Sequence, residues 1–126
     1  MTEHQTALFE KAALALRTGR ANLDGDDAGA AVNRAYYAAF YAATAALVGE
    51  GDKPKSHAGT HPLFHKRFVA TGQIGPEVGS VLVYAFNLRQ RADYEAIAVT
   101  DSAAAADLLK DVKEFVEVVR EMVENE

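Results

Sequence analysis

One seam near the C-terminus constrains this chain more than any other feature. Ala105, Leu108, Val112, Phe115, Val119 and Met122 recur at alternating steps of three and four, with Leu109, Val116 and Val123 beside them. That spacing puts the apolar side chains on one stripe of an α-helix running from Asp101 or Ser102 to Val123. A stripe of this length is stable in water only when other helices cover it. No run of four to eight residues elsewhere sustains the period-two alternation of a half-buried strand, so the covering elements are expected to be helices too.

Four further helices are expected. The first covers Glu3 to about Arg20, with Leu8, Ala12, Ala15 and Leu16 on one face, and "NLDGDDAG" interrupts it. The second runs from about Asp27, a good N-cap residue, to Val48, where "GEGDKPKS" supplies a glycine stop and a proline. A short third helix starts near Thr60 with Pro62 in its first turn and stops at Gly72. The fourth begins near Pro76 and extends to about Ala92. Long helices joined by short connections pack as an all-α, up-and-down bundle of four to five helices, and residues 1–126 read as one domain.

Composition narrows the chemistry. The chain has no cysteine, which removes disulfides, thiolate chemistry and cysteine-ligated zinc, and fits a reducing cytoplasm. The N-terminus lacks a basic segment before an apolar core, and no window is long enough to cross a bilayer, so a soluble, unprocessed protein without a membrane role is expected. The net charge of −5 argues against nucleic acid only on average. Between Lys53 and Arg91 lie six basic residues, one acid (Glu77) and three of the four histidines. A basic central third on an acidic protein is the footprint of a local anion site, provided the linear cluster survives as a surface.

Three stretches could carry chemistry. In "AAVNRAYYAAFYAATAAL", Val32, Tyr36, Ala39, Phe40, Ala43 and Leu47 form a packing stripe, while Asn33, Tyr37, Tyr41 and Thr44 form a polar, aromatic face beside it. That face is read either as a second packed side with satisfied hydroxyls or as a groove wall for a phosphate or base. Arg34 needs a partner in so apolar a run, and Asp93 is a candidate. In "SHAGTHPLFHKRF", His57, His61 and His65 lie four apart. With a helix starting near Thr60, His57 precedes it and only His61 and His65 would share a face, and no carboxylate nearby completes a metal site. One imidazole brought to the bundle surface as a phosphate contact is the better functional reading, and an uninvolved histidine the plainer one. Finally, "LRQRADYEA" packs Arg89, Arg91, Asp93 and Tyr94 into six residues. On one continuous helix Arg89 and Tyr94 point roughly 140° apart, so they converge only if the helix ends between them or two chains meet. Arg89 lies at the edge of the apolar stripe, where a guanidinium wants a carboxylate or a phosphate. Pattern alone favours a structural Arg–Asp pair.

Taken together, "NRAYYAAFYAATAAL", the "KSHAGTHPLF" loop and "LRQRADYE" resemble, in this order and over nearly the whole chain, the HEPN domains of prokaryotic toxin–antitoxin and nucleotidyltransferase-associated systems. The resemblance implies a helical bundle that pairs as a homodimer, with each chain's motif facing a shared cleft. In the ribonuclease members, an arginine followed after four to six residues by a histidine carries metal-independent RNA cleavage without a cofactor. Arg89 matches that arginine, but no histidine follows His65, and the counted position is Tyr94. The sequence is more similar to the branch whose toxins pair with small nucleotidyltransferase-like antitoxins. There an arginine, four residues and a tyrosine recur, and the partner adenylylates the tyrosine. The resemblance thus implies Arg89 and Tyr94 as catalytic residues, Tyr94 also as the modification site, and Asn33, Tyr37, Arg91 and Asp93 as binding residues in the cleft. A tyrosine is a poor base at neutral pH but can donate a proton. The alternative is a non-catalytic helical module that docks a nucleotidyltransferase partner or a nucleotide, and a third reading leaves only structural ion pairs.

Overall fold

The computed structural model describes residues 1–94 and 101–126. Helix α1 spans Glu3–Asp24, α2 Ala28–Gly49, α3 His57–Phe64, α4 Pro76–Gly79, α5 Val81–Tyr94 and α6 Ser102–Glu124, and a π-helical turn, His65–Val69, continues α3. The described residues contain no strand, and the molecule is an all-helical bundle.

Helices α1, α2 and α6 each start where a side chain satisfies one of the first free N–H groups. Thr2 accepts from the backbone of Gln5 while the Gln5 side chain accepts from the backbone of Thr2, closing a reciprocal cap on α1. Asp27 caps α2 through Ala30, and Asp101 caps α6 through Ala104. Between α1 and α2 the chain reverses through Asp26 at φ 63°, a left-handed conformation that aspartate tolerates better than most residues. Helix α1 runs one turn beyond the expected Arg20, because nothing before Gly25 interrupts it.

Helix α2 is the axis of the fold and packs against α1, α6, α5 and α3. Its buried residues are Ala31, Val32, Ala35, Tyr36, Ala38, Ala39, Ala42, Ala43, Ala45, Ala46 and Leu47. Alanine on so many sides lets several neighbours approach at once, which is how a helix can be covered nearly all round. The α6 seam closes the core with Leu108, Val112, Phe115 and Val119, all at 1% exposure or less.

Two further expected boundaries differ, and one of them matters for the site. Helix α3 starts at His57 because the Ser56 hydroxyl accepts from Gly59 N–H and caps it, so Pro62 lies inside the helix and His57 belongs to it. The expected fourth helix is two: α4 ends at Gly79, Ser80 intervenes, and α5 continues through Arg89 to Tyr94.

Candidate functional site

Where α2, α3 and α5 meet, aromatic rings, two imidazoles and one guanidinium converge. Tyr36 of α2 is fully buried, and its hydroxyl lies 2.8 Å from His57 Nδ1 and 3.2 Å from His61 Nε2. The two histidines are one turn apart on α3, so both rings reach the same hydroxyl. His57 lies flat on Phe40, centroids 4.0 Å apart and planes 2° from parallel. His61 meets Phe86 of α5 edge-on at 4.7 Å.

Arg89 covers this cluster from α5. Its guanidinium carbon lies 5.4 Å from the centre of the Tyr36 ring and 5.3 Å from that of Tyr37, within cation–π range of both. Nε of Arg89 is 3.3 Å from Asp93 Oδ2, one turn along the helix, but is buried and out of line for a hydrogen bond. The terminal nitrogens of Arg89 donate to no described residue and are not among the buried unsatisfied atoms. They open on solvent at the edge of the cluster.

The electrostatics follow from burial and from this cation. Burial pushes the Tyr36 phenol well above its ordinary range, partly offset by Arg89, so the hydroxyl keeps its proton. Burial, then Arg89, lowers the pKa of His57, and burial, then His57, lowers that of His61. Both imidazoles are therefore neutral at pH 7.

The residues singled out in the sequence divide into two groups. Arg89, Tyr37 and Asp93 come together. Asn33 lies nearby and lines a shallow pocket with Arg34, Ala92 and Asp93. Asp93 is not the partner of Arg34, because Arg89 holds it one turn back on the same helix. Arg34 instead donates twice to Asn33 Oδ1, at 3.0 and 2.8 Å, and stacks 4.9 Å from the Tyr37 ring centre. Arg91 and Tyr94 are exposed, Tyr94 at 79%, and because α5 is continuous they diverge from Arg89 within one chain. The histidine pairing also needs correcting: His57 and His61 share the cluster, while His65 is exposed on the π-helical turn. Arg67, from the basic stretch, is engaged by Asp52 in a two-point pair at 3.1 Å. No group of three histidines, aspartates or glutamates among the described residues could hold a metal ion.

Tyr36 and Phe40 read in the sequence as packing residues and His57 and His61 only as possible phosphate contacts; their meeting around one hydroxyl is not visible there. Ser56 followed three residues later by Gly59 was the available signal, since a cap there places His57 on the helix.

A family model for the HEPN domain matches residues 6–122. The chain belongs to the HEPN domain family. Among HEPN relatives, it is 30% identical to a UPF0332 protein of Thermotoga maritima over 75% of this chain and 72% of that one. It is 35% and 36% identical to two proteins of Methanocaldococcus jannaschii, each named "Putative toxin", over 71% of this chain. The matched segments span 60% and 66% of those two toxins, under two thirds of their length. No helix among the described residues is long and apolar enough to cross a membrane.

Proposed function

We propose that this HEPN domain binds RNA at the Arg89 cluster and cuts it as a metal-independent endoribonuclease, with Arg89 on the scissile phosphate. The supporting observation is the state of the Arg89 guanidinium: it is set against two tyrosine rings, paired with one carboxylate, and has both terminal nitrogens open. A fork of donors fixed in this way suits a phosphate, and its charge would stabilise the phosphorane formed when a 2′-hydroxyl attacks. Asn33 offers amide N–H donors, since its Oδ1 is already taken by Arg34, and Tyr37 offers a ring face to a base.

Tyr94 is assigned as the proton donor to the leaving oxygen. Within one chain it points away from Arg89, so the pair acts on one phosphate only across a homodimer cleft, which would also bring Arg91 toward the RNA. The exposure of Tyr94 at the end of α5 suits the second part of the reading, in which a small nucleotidyltransferase-like antitoxin adenylylates it. The adduct would set a bulky anion against RNA phosphates. The toxin names of two relatives support this setting.

The test is cleavage of mixed structured and single-stranded RNA by the purified protein in chelator, after intact mass shows Tyr94 unmodified. The parent cuts and Arg89→Ala does not, while both stay folded. The divergence of Arg89 and Tyr94 within one chain favours a second reading, a non-catalytic module that docks a nucleotidyltransferase or a nucleotide. It takes over if neither protein cuts and a co-encoded nucleotidyltransferase binds stably.

A further inference from the structure

We propose that His57 is the proton acceptor of this site, its open Nε2 taking the 2′-hydroxyl proton of an RNA chain whose phosphate rests on Arg89. The inference rests on the ribonuclease reading above and supplies what the motif lacks, since no histidine follows Arg89 in the sequence.

The geometry comes from three contacts. The Ser56 cap starts α3 at His57, stacking on Phe40 fixes the plane of the ring, and the Tyr36 hydroxyl fixes its rotation by engaging Nδ1 at 2.8 Å. Nε2, the other nitrogen, has no hydrogen-bond partner among the described residues and is not among their buried unsatisfied atoms. It therefore faces solvent. The ring lies 5.8 Å from Tyr36 and 5.6 Å from Tyr37, centroid to centroid, the two rings that carry the Arg89 guanidinium. Cation and imidazole thus both border the same two tyrosine rings.

The hydrogen bonds set the polarity. Tyr36 has one hydroxyl proton and two imidazole neighbours, so it donates to one ring and accepts from the other. When it donates to Nε2 of the buried His61, it accepts from His57 Nδ1–H, and His57 Nε2 carries a lone pair. His61 and Tyr36 then act as positioning residues that hold the accepting tautomer.

The step balances. The O2′–H bond breaks, its proton moves to His57 Nε2, and O2′ forms a bond to phosphorus. The P–O5′ bond breaks as the leaving oxygen takes a proton from Tyr94, whose phenolate is reprotonated by water. The products are a 2′,3′-cyclic phosphate and a 5′-hydroxyl, and His57 returns its proton to solvent.

The titratable and charged groups that face His57 are Tyr36 and Tyr37 on α2, His61 on α3 and Arg89 on α5, with Asp52, Lys53 and Lys55 of the preceding loop lining a common pocket. Burial and the Arg89 charge keep the ring neutral, and able to accept, below the usual imidazole range. The acid limb of kcat/KM should accordingly lie below that range.

The experiment measures kcat and KM on a single-stranded RNA oligonucleotide in chelator, across pH, for the parent, Arg89→Ala, His57→Ala, His57→Gln and His65→Ala. The expected result is loss of kcat by about 10²- to 10⁴-fold in both His57 variants with KM near the parent's, no acid limb, partial rescue of His57→Ala by added imidazole, and an unchanged His65→Ala. Glutamine can still bond Tyr36, so parental kcat in His57→Gln would reduce His57 to packing and overturn the inference even if His57→Ala fails to fold. If parent and both His57 variants cut alike while Arg89→Ala does not, the inference falls and the ribonuclease reading stands. If the parent does not cut, both fall.

Discussion

Asp93 reaches back one helical turn to Arg89, its Oδ2 3.3 Å from Nε, and no other carboxylate is paired with that guanidinium among the described residues. The contact is one-sided and partly solvated, with the side chains 20% and 36% exposed, so it holds Arg89 without neutralising its outer edge. A phosphate approaching from outside competes with Asp93 for the same cation.

Asp93→Asn should therefore tighten RNA binding and steepen its dependence on salt, while unfolding stability falls by less than about 1 kcal/mol. Binding isotherms at several salt concentrations and a melting curve check both. A large loss of stability with unchanged binding would instead make the pair purely structural.

Tyr36→Phe should cost about 1–3 kcal/mol, because it leaves two imidazole nitrogens without the hydroxyl that serves them while the ring still fills its place. Denaturant unfolding measures the loss. If His57 is the acceptor, kcat falls as well, since its ring is freed to turn on Phe40.

Stability should depend on pH through His57 and His61. Both hold a proton less tightly in the folded chain than in the unfolded one, where their pKa is about 6.5. Above about 6.5 both states are neutral and this contribution is fully present. As pH falls from there, the unfolded chain takes up protons first, and stability is lost down through the folded pKa values. Melting temperatures measured downward from pH 7 should show the decline, and His61→Gln should make it shallower.

Gly19→Ala should destabilise the protein, although alanine in place of glycine inside a helix ordinarily gains about 1 kcal/mol. An added Cβ would lie 2.9 Å from Leu109 Cδ2, 3.2 Å from Arg34 Cβ and 3.3 Å from the Ala31 carbonyl oxygen. The carbonyl belongs to a helix backbone and cannot step aside, so α1 and α2 must part, at a net cost of about 1–3 kcal/mol. The denaturation midpoint decides the sign.

The bundle was legible because its signals are local and periodic. The α6 seam, the Asp27 and Asp101 caps and the glycine stops each speak of their own segment. An arginine–aspartate pair at the end of α5 was legible for the same reason, since one helical turn separates Arg89 from Asp93, although the sequence also offered Asp93 to Arg34. The cluster was not, because it depends on where α3 begins. A start near Thr60 with Pro62 in the first turn follows a common preference, but Ser56 offers a hydroxyl and Pro62 is accommodated within the helix. Shifting the start brought His57 onto the helix and into register with His61, and turned Tyr36 from a packing residue into the centre of a hydrogen-bonded trio. Such a trio spans 21 and 25 residues of sequence, and no local pattern announces it.

The alanine surface of α2 carries a mechanical consequence. Methyl groups make shallow grooves, so a neighbouring helix laid along α2 meets few knobs to stop it sliding. For α1 the stops sit near its two ends: Gln5 donates to the Ala45 carbonyl at 3.0 Å, and Gly19 forms a notch against Ala31 and Arg34. Separated by on the order of 20 Å of helix, they work like a pair of dowels in a smooth joint. With either one removed, the hairpin keeps its hydrophobic contact but loses the pin that fixes its register.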